Sequence, residues 1–573
     1  MVCYVSTTSL LFLVGVSVVA RSVRCVVGVT ALALSVVFGA GAAVAATSQW
    51  QLPAVELSLP GAVAKAPQVT SDPSGNITAV WYRYDGSNMI VQAATKAAGG
   101  SWGAPVDVSA PGGFAQAPEV TSDPSGNITA VWYRTSGSNT IVQAATKAAG
   151  GSWGAPVGLS VAGGYAEDPQ VTSDPSGNLT AVWSRSSGGD NIVQAATKVA
   201  GGSWSAPTDL SAPGGYAQDP QVTSDPSGNL TAVWSRSDGS NYIIQAATKA
   251  AGGTWVGMPT DLSATGGYAY HPQVTIDSSG NVTAVWSRSD GGTYIVQAAT
   301  KAAGGSWSAP TAVSAAGSYA QAPQVTSDAS GNVTTVWTRS DSGISIVQAA
   351  TKPVGGSWGA PFDVSAAGGD AHRPQLTSDA SGNVTAVWFR NDGSNYIVQA
   401  ATKPAGASWG AAIDLSAPGR YAQAPQVTSD PSGNLTAVWW LRGSGSDVVI
   451  QSTTMSWSYV VSFDANGGSG TVPASISSTA GVGVTVPSAS GVTWAGHTFV
   501  GWNTAANGSG TSYSAGSTIT PQRDVTLYAQ WTSVAAPASL AVTGSDPALA
   551  WMSAALLLLA GLAVLGVRRR IRS

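Results

Sequence analysis

The segment PQVTSDPSGNITAVWYR, Pro67 to Arg83, recurs in near-identical or edited form at Pro118, Pro169, Pro220, Pro272, Pro323, Pro374 and Pro425. The spacing is 51 residues, except for 52 between Pro220 and Pro272. Self-similarity at a period near ~50 residues belongs to propellers and solenoids. A single unit of that size cannot bury its own apolar faces, so neighbouring units must cover them.

Inside one unit, four strand-like segments alternate with turns. In the first they are residues 67–72, 77–83, 89–96 and 101–109, separated by PSGN, YDGSN and AAGG. Four short strands with Gly-rich turns describe a propeller blade, and strands apolar on both faces suit a blade held between two others. Only 9% of residues are charged, and Gly alone accounts for 69 positions, which favours tight turns and strands over helices. The expectation is an all-β, eight-bladed propeller over residues 47–457.

The ends of the array point to closure. Ser48 to Gly61, SQWQLPAVELSLPG, is similar to the fourth segment of a unit, GSWGAPVDVSAPGG. After the eighth unit the chain leaves VVIQSTTMS (448–456) for unrelated sequence, so its fourth strand is missing. The N-terminal segment can supply it and leave no open sheet edge.

Comparing the units with one another separates two faces. Strands alternate direction, so the first and third turns emerge on one side and the remaining loops on the other. The first turn is nearly constant (DPSGN, DSSGN or DASGN), whereas the second varies from YDGSN to SDSGIS. Four residues before the prolines stand Val63, Phe114, Tyr165, Tyr216, Tyr268, Tyr319, Asp370 and Tyr421. The aromatic members make a near-ring on the variable side, able to stack on sugar rings or to pack over the crossing between blades. Just before the prolines, Asp168, Asp219, His271 and Arg373 differ from unit to unit and add directional polar groups. Asp72 and its counterparts read as turn residues that accept backbone hydrogen bonds. Trp81 and its counterparts read as core. Arg83 and its counterparts leave the second strand on the variable side, where pairing with loop aspartates is expected.

Both cysteines, Cys3 and Cys25, precede residue 47, and the chain has three histidines. Disulfides, thiol chemistry, cofactors and a His-based metal centre are therefore not expected. A formal net charge of -4 gives no reason to expect nucleic acid as a partner.

Residues 1–46 have the charged, apolar, small-residue order of a secretory signal peptide. Residues 548–567 form an apolar run of about the ~20 residues needed to span a bilayer, followed by a basic tail at 568–573. Within the linker 533–547, Leu540-Ala541-Val542-Thr543-Gly544 resembles the Leu-Ala-x-Thr-Gly signal read by class E-type sortases of high-GC Gram-positive bacteria. That resemblance implies cleavage between Thr543 and Gly544 and attachment to peptidoglycan.

Residues 458–532 change character. Phe463-Asp464-Ala465-Asn466-Gly467-Gly468, Phe499-Val500-Gly501-Trp502 and Leu527-Tyr528-Ala529-Gln530-Trp531 resemble the Listeria–Bacteroides repeat of internalin B-type surface proteins. The resemblance implies a small β-grasp-like module without catalysis. The 51-residue unit loosely resembles sialidase-like propeller repeats of the BNR or Asp-box type in its Ser-Asp turn and downstream Trp. The tighter Ser-x-Asp-x-Gly-x-Thr-Trp pattern is absent, and the glutamates number three (Glu56, Glu119, Glu167). From sequence, no pair of carboxylates suited to glycoside cleavage stands out.

The expected function is a monomeric, non-catalytic, wall-anchored adhesin or lectin-like binder of a glycan or matrix ligand. A secreted sialidase-type hydrolase and a ligand-free surface spacer are the alternatives.

Overall fold

The computed structural model of the protein describes residues 47–534, apart from positions 238, 256, 290, 291, 318, 342, 444, 446 and 522. The expected leader, the sorting motif Leu540 to Gly544, the apolar span and the basic tail lie outside the described residues. Every regular element among the described residues is a β-strand.

The repeat folds into successive four-stranded antiparallel units. In unit 1 the strands are Val63–Ser71, Ile77–Tyr84, Met89–Lys96 and Val106–Asp107, paired in chain order. Units 2 to 7 repeat this plan. Unit 8 contributes Ala422–Ser429, Leu435–Arg442 and the first half of Val448–Asp464. Its outer partner comes from the N-terminal side: Thr47–Trp50 pairs with residues 455–458, and Val55–Glu56 with 451 and 452.

Units 1 to 5 are joined in succession at the same point. The first residue of an inner strand bridges the start of the preceding third strand in parallel, as in Met89 with Phe114 and Tyr242 with Tyr268. Val448 of unit 8 makes the same bridge to Val63 of unit 1. Packing follows the same circle. A tryptophan in each second strand, from Trp81 to Trp439, is 0% exposed. Trp132 packs on Val80, Val91 and Ala93 of unit 1, and Trp81 packs on Val438 and Ile450 of unit 8. This accounts for strands that are apolar on both faces, and each buried Trp contributes roughly 3 kcal/mol of transfer free energy. The architecture is all-β and propeller-like.

From sequence, the first strand is expected to begin at the repeat proline. It begins four residues earlier, at Val63 in unit 1, and the aromatic positions other than Tyr421 are strand residues rather than loop residues. A β-bulge allows this, since the register shifts between Lys65 and Gln68 and at the equivalent point of every inner strand. The residue before each proline lies in the left-handed region, with φ between 46° at Ala117 and 52° at Asp168, Asp219 and His271. Proline lacks an N–H for the ladder, and the bulge lets the strand pass it.

The second module is not joined by a loop. The boundary expected at 457/458 falls inside the 17-residue strand Val448–Asp464. Residues 458–461 of that strand pair with Ile476–Thr479, and 461–464 run parallel to Val525–Ser533. Trp50, Met455, Trp457, Tyr459 and Ala480 share one core across the junction, and Asn434 Nδ2 donates to the Ala480 carbonyl at 3.3 Å. The module has its own core, with Phe463, Trp502 and Leu527 at its centre. Its motif residues hold turns: Trp531 Nε1 donates to the Ala465 carbonyl (3.0 Å), and Asn466 Nδ2 to the carbonyls of Ala506 (2.7 Å) and Ala529 (2.8 Å).

Candidate binding face and central lumen

The inner strands run from the variable face to the constant face, so each places four kinds of residue along one path. In unit 3 these are Tyr165 at the rim, Asp168 at the bulge, Gln170 beyond it, and Ser173 followed by Asp174 at the far end.

At the constant end the repeated carboxylate is occupied by its own turn. Asp174 Oδ1 accepts the Ser176 and Asn178 backbone N–H groups, both at 2.9 Å, and Oδ2 accepts Asn178 Nδ2 at 2.7 Å. Asn178 Oδ1 then accepts the Ala200 N–H from the third turn. The turn glycine of each unit abuts the aspartate of the one before it. A Cβ at Gly126 would lie 3.7 Å from Asp72 Oδ2, and one at Gly75 would lie 3.8 Å from Asp430 Oδ2. The mouth there is an open cavity of about 750 Å³ walled by these Ser-Asp-Pro turns.

The variable end differs. Phe114, Tyr165, Tyr216, Tyr268, Tyr319 and Tyr421 are all exposed, between 38% for Tyr421 and 54% for Tyr165. The structure brings them to one rim, each at or beside the start of an inner strand. Further aromatics join them unevenly. Tyr268 and Tyr270 are stacked (centroids 6.1 Å apart, planes 6° apart), and Tyr242 lies 4.7 Å from Tyr270. Tyr294 meets Tyr319 at 5.6 Å, and Tyr396 meets Tyr421 at the same distance.

Two of the strand-exit arginines are tied to loop carbonyls. Arg134 Nη2 donates to the Pro111 carbonyl (3.1 Å) and Arg288 Nη1 to the Ala264 carbonyl (2.9 Å). A Cβ at Gly215 would lie 3.1 Å from Arg236 Nη2, so that guanidinium also lies against the loop before the next inner strand. Among the described residues, Arg339 and Asp341 form a loop-aspartate pair of the expected kind, at 3.0 Å.

Below the rim, Glu119, Asp168, Asp219 and His271 line one cavity of about 280 Å³, with Gln170, Gln221, Gln273 and Gln324. Arg373 belongs to unit 7; its N–H donates to Thr338 Oγ1 (3.2 Å), and it is not brought to this cavity. Burial pushes the Glu119 carboxyl up to about 8, against hydrogen bonds from Gln170 and Gln68. Burial also raises the Asp168 carboxyl, helped by Asp219 and Glu167. Asp219 is raised by burial, while His271 and the Gln218 side chain oppose the shift. The Tyr270 hydroxyl is pushed up to about 12 by burial, with the neighbouring tyrosines adding. Among the described residues, no group of three His, Cys, Asp or Glu is placed to hold a metal ion.

Glu119 and Tyr242 were not read as site residues from sequence, and Tyr270 entered only as half of the variable pair Tyr270-His271, although a signal exists. The residue after the repeat proline is Gln in seven units and Glu only in the second, and Tyr270 stands where four other units have Gln.

Residues 459–530 match the Listeria-Bacteroides repeat domain family. No curated protein matches the chain. Among solved structures, a protein of unknown function from Dyadobacter fermentans is 14% identical at a TM-score of 0.37, covering 71% of this chain and 98% of its own. A polysaccharide lyase, an ulvan lyase of family PL25, is 11% identical at 0.42, covering 60% and 91%. A mutant of the NanB sialidase from Streptococcus pneumoniae is 11% identical at 0.33, covering 70% of each chain. Likenesses this distant carry no inference about activity.

Proposed function

We propose that the eight units form one closed eight-bladed propeller that binds glycans, or a matrix ligand, at its variable mouth without cleaving them. The observation that supports this most directly is the rim of six half-exposed aromatic side chains, one in each of six units. Exposed aromatics on a rigid face offer sugar rings a stacking surface at little entropic cost. Several weak sites on one face gain avidity by factors up to ~10²–10⁴ where a ligand reaches them together. The signal-like leader, the sorting motif and the Listeria–Bacteroides module support display on a Gram-positive cell wall, with sortase and peptidoglycan as partners.

The test is a glycan and matrix-protein array probed with the intact protein and with a Tyr165→Ala, Tyr216→Ala, Tyr268→Ala triple variant. Binding lost at unchanged thermal stability supports the proposal. An intact, folded protein that captures nothing leaves only a surface spacer.

A second reading, a glycoside hydrolase, is favoured by one observation. The lumen holds a carboxyl raised to about 8, Glu119, near the aspartates Asp168 and Asp219, and separated carboxyl environments are what such catalysis uses. Glu119 is engaged by Gln68 Nε2 at 2.8 Å, which favours a structural role. Turnover of a fluorogenic glycoside that disappears in Glu119→Gln would establish the enzyme instead.

A further inference from the structure

Resting on the glycan-binding reading, we infer that the mouth over units 4 and 5 is the strongest subsite of the face and takes a sugar bearing a free amine. The units are near-copies, so a place where several departures coincide stands apart from the general repeat. At this place Tyr270 replaces the Gln of units 2, 4, 6 and 8, and it meets Tyr242, which opens the third strand of unit 4 as Tyr294 and Tyr396 open those of units 5 and 7. With Tyr268 they form a three-ring cluster in which Tyr268 remains 42% exposed. One wall of the subsite is therefore a partly desolvated aromatic surface, with Tyr268 and Tyr270 nearly parallel and Tyr242 tilted to both, suited to the apolar face of a pyranose.

The ionisable groups beside it are mostly acidic, with His271 the one basic member of the cavity lining. Down the same strand lies His271, and the cavity it shares holds Asp219, Asp168 and Glu119. Glu167 adds a further carboxylate at the rim beside Asp168. Of the arginines nearest this place, Arg288 is bonded to the Ala264 carbonyl, and the Arg236 guanidinium lies beside Gly215. Lys65 and Arg373 belong to units 1 and 7, and Lys65 sits over the Trp440 ring at 5.4 Å. An ammonium on a stacked sugar would meet the carboxyl groups of Asp168 and Asp219, with Glu167 beside them, in a partly enclosed cavity, where charge pairing is stronger than in open water. A sialic or uronic acid would meet repulsion.

The experiment is calorimetric titration of the full chain with a glucosamine tetramer, its N-acetylated counterpart, a sialylated tetrasaccharide and an oligolysine of equal charge. The glucosamine tetramer is expected to bind roughly tenfold or more tightly than the N-acetylated and sialylated sugars. Tyr270→Gln introduces the residue other units carry at this position, and it should weaken that binding roughly tenfold. Asp219→Asn keeps a residue tolerant of the left-handed backbone, and it should remove most of the preference for the amine. Equal or tighter binding of the sialylated sugar overturns the inference. So does an amine preference that survives Asp219→Asn, or oligolysine binding as tight as the glucosamine tetramer and unmoved by Tyr270→Gln. Sugar binding that depends on Tyr165 and Tyr216 but not on Tyr270 overturns the subsite and leaves the glycan-binding face standing. No binding of any sugar overturns both.

Discussion

Gln68 Nε2 donates to Glu119 Oε1 at 2.8 Å across the seam between units 1 and 2. Glu119 is the one acid at a position where every other unit has Gln, and burial raises its carboxyl from an ordinary value of 4.5 to about 8. A carboxyl whose folded value is raised holds its proton in the native state after the unfolded chain has lost it. Its contribution to stability is therefore fully present below about 4.5 and is lost as pH rises towards about 8. Glu119→Gln should remove that slope. Thermal unfolding at pH 4 should be nearly unchanged, while at pH 9 the variant should melt several degrees higher, at roughly 2–4 °C per kcal/mol. A variant less stable than the parent at pH 9 refutes this account.

Trp234 is completely buried between units 3 and 4, against Val182, Val193 and Ala195. Trp234→Ala should cost about 3–5 kcal/mol. Urea unfolding measures the loss, and a cost under about 1 kcal/mol would mean that the seams do not hold the ring.

Asp174→Ala removes the acceptor of three turn hydrogen bonds, from Ser176 N, Asn178 N and Asn178 Nδ2. A stability loss of about 1–3 kcal/mol is expected, with ligand capture at the variable face unchanged. Loss of capture with intact stability would move function to the constant end.

Deleting residues 47–57 strips Trp50 and Leu57 from their cores and leaves residues 451–458 without their outer partner. An open edge recruits other chains. The truncated protein should aggregate at concentrations where the parent is monomeric, measured by light scattering. A monodisperse truncation of unchanged melting temperature contradicts closure by this strand.

The β character, the repeating unit and the turn chemistry were legible because each is written locally. Ser-Gly-Asn after Asp174 specifies a turn whose donors meet that carboxylate within four residues, and strands apolar on both faces specify the seams. The N-terminal strand was legible as well, since Val55 and Glu56 occupy the place that Val106 and Asp107 hold in unit 1. The arginines were harder. Arg134 and Arg288 bond to loop carbonyls, and no charge pattern announces a backbone acceptor. The continuous strand Val448–Asp464 was missed because a change of composition marks a change of module, while hydrogen bonding can run straight through it.

Local periodicity was enough for the strand, the turn and the buried tryptophan, because each depends on neighbours a few residues away. The lumen depends on residues a whole period apart. A proline ordinarily keeps the residue before it extended, yet here that residue turns to φ near +50° in every unit, because the flanking ladder closes around a bulge. That turn sets Asp168, Asp219 and His271 into one cavity with Glu119. Only the packing of unit upon unit decides which side chains meet there, and so which charge a ligand would find beneath the aromatic rim.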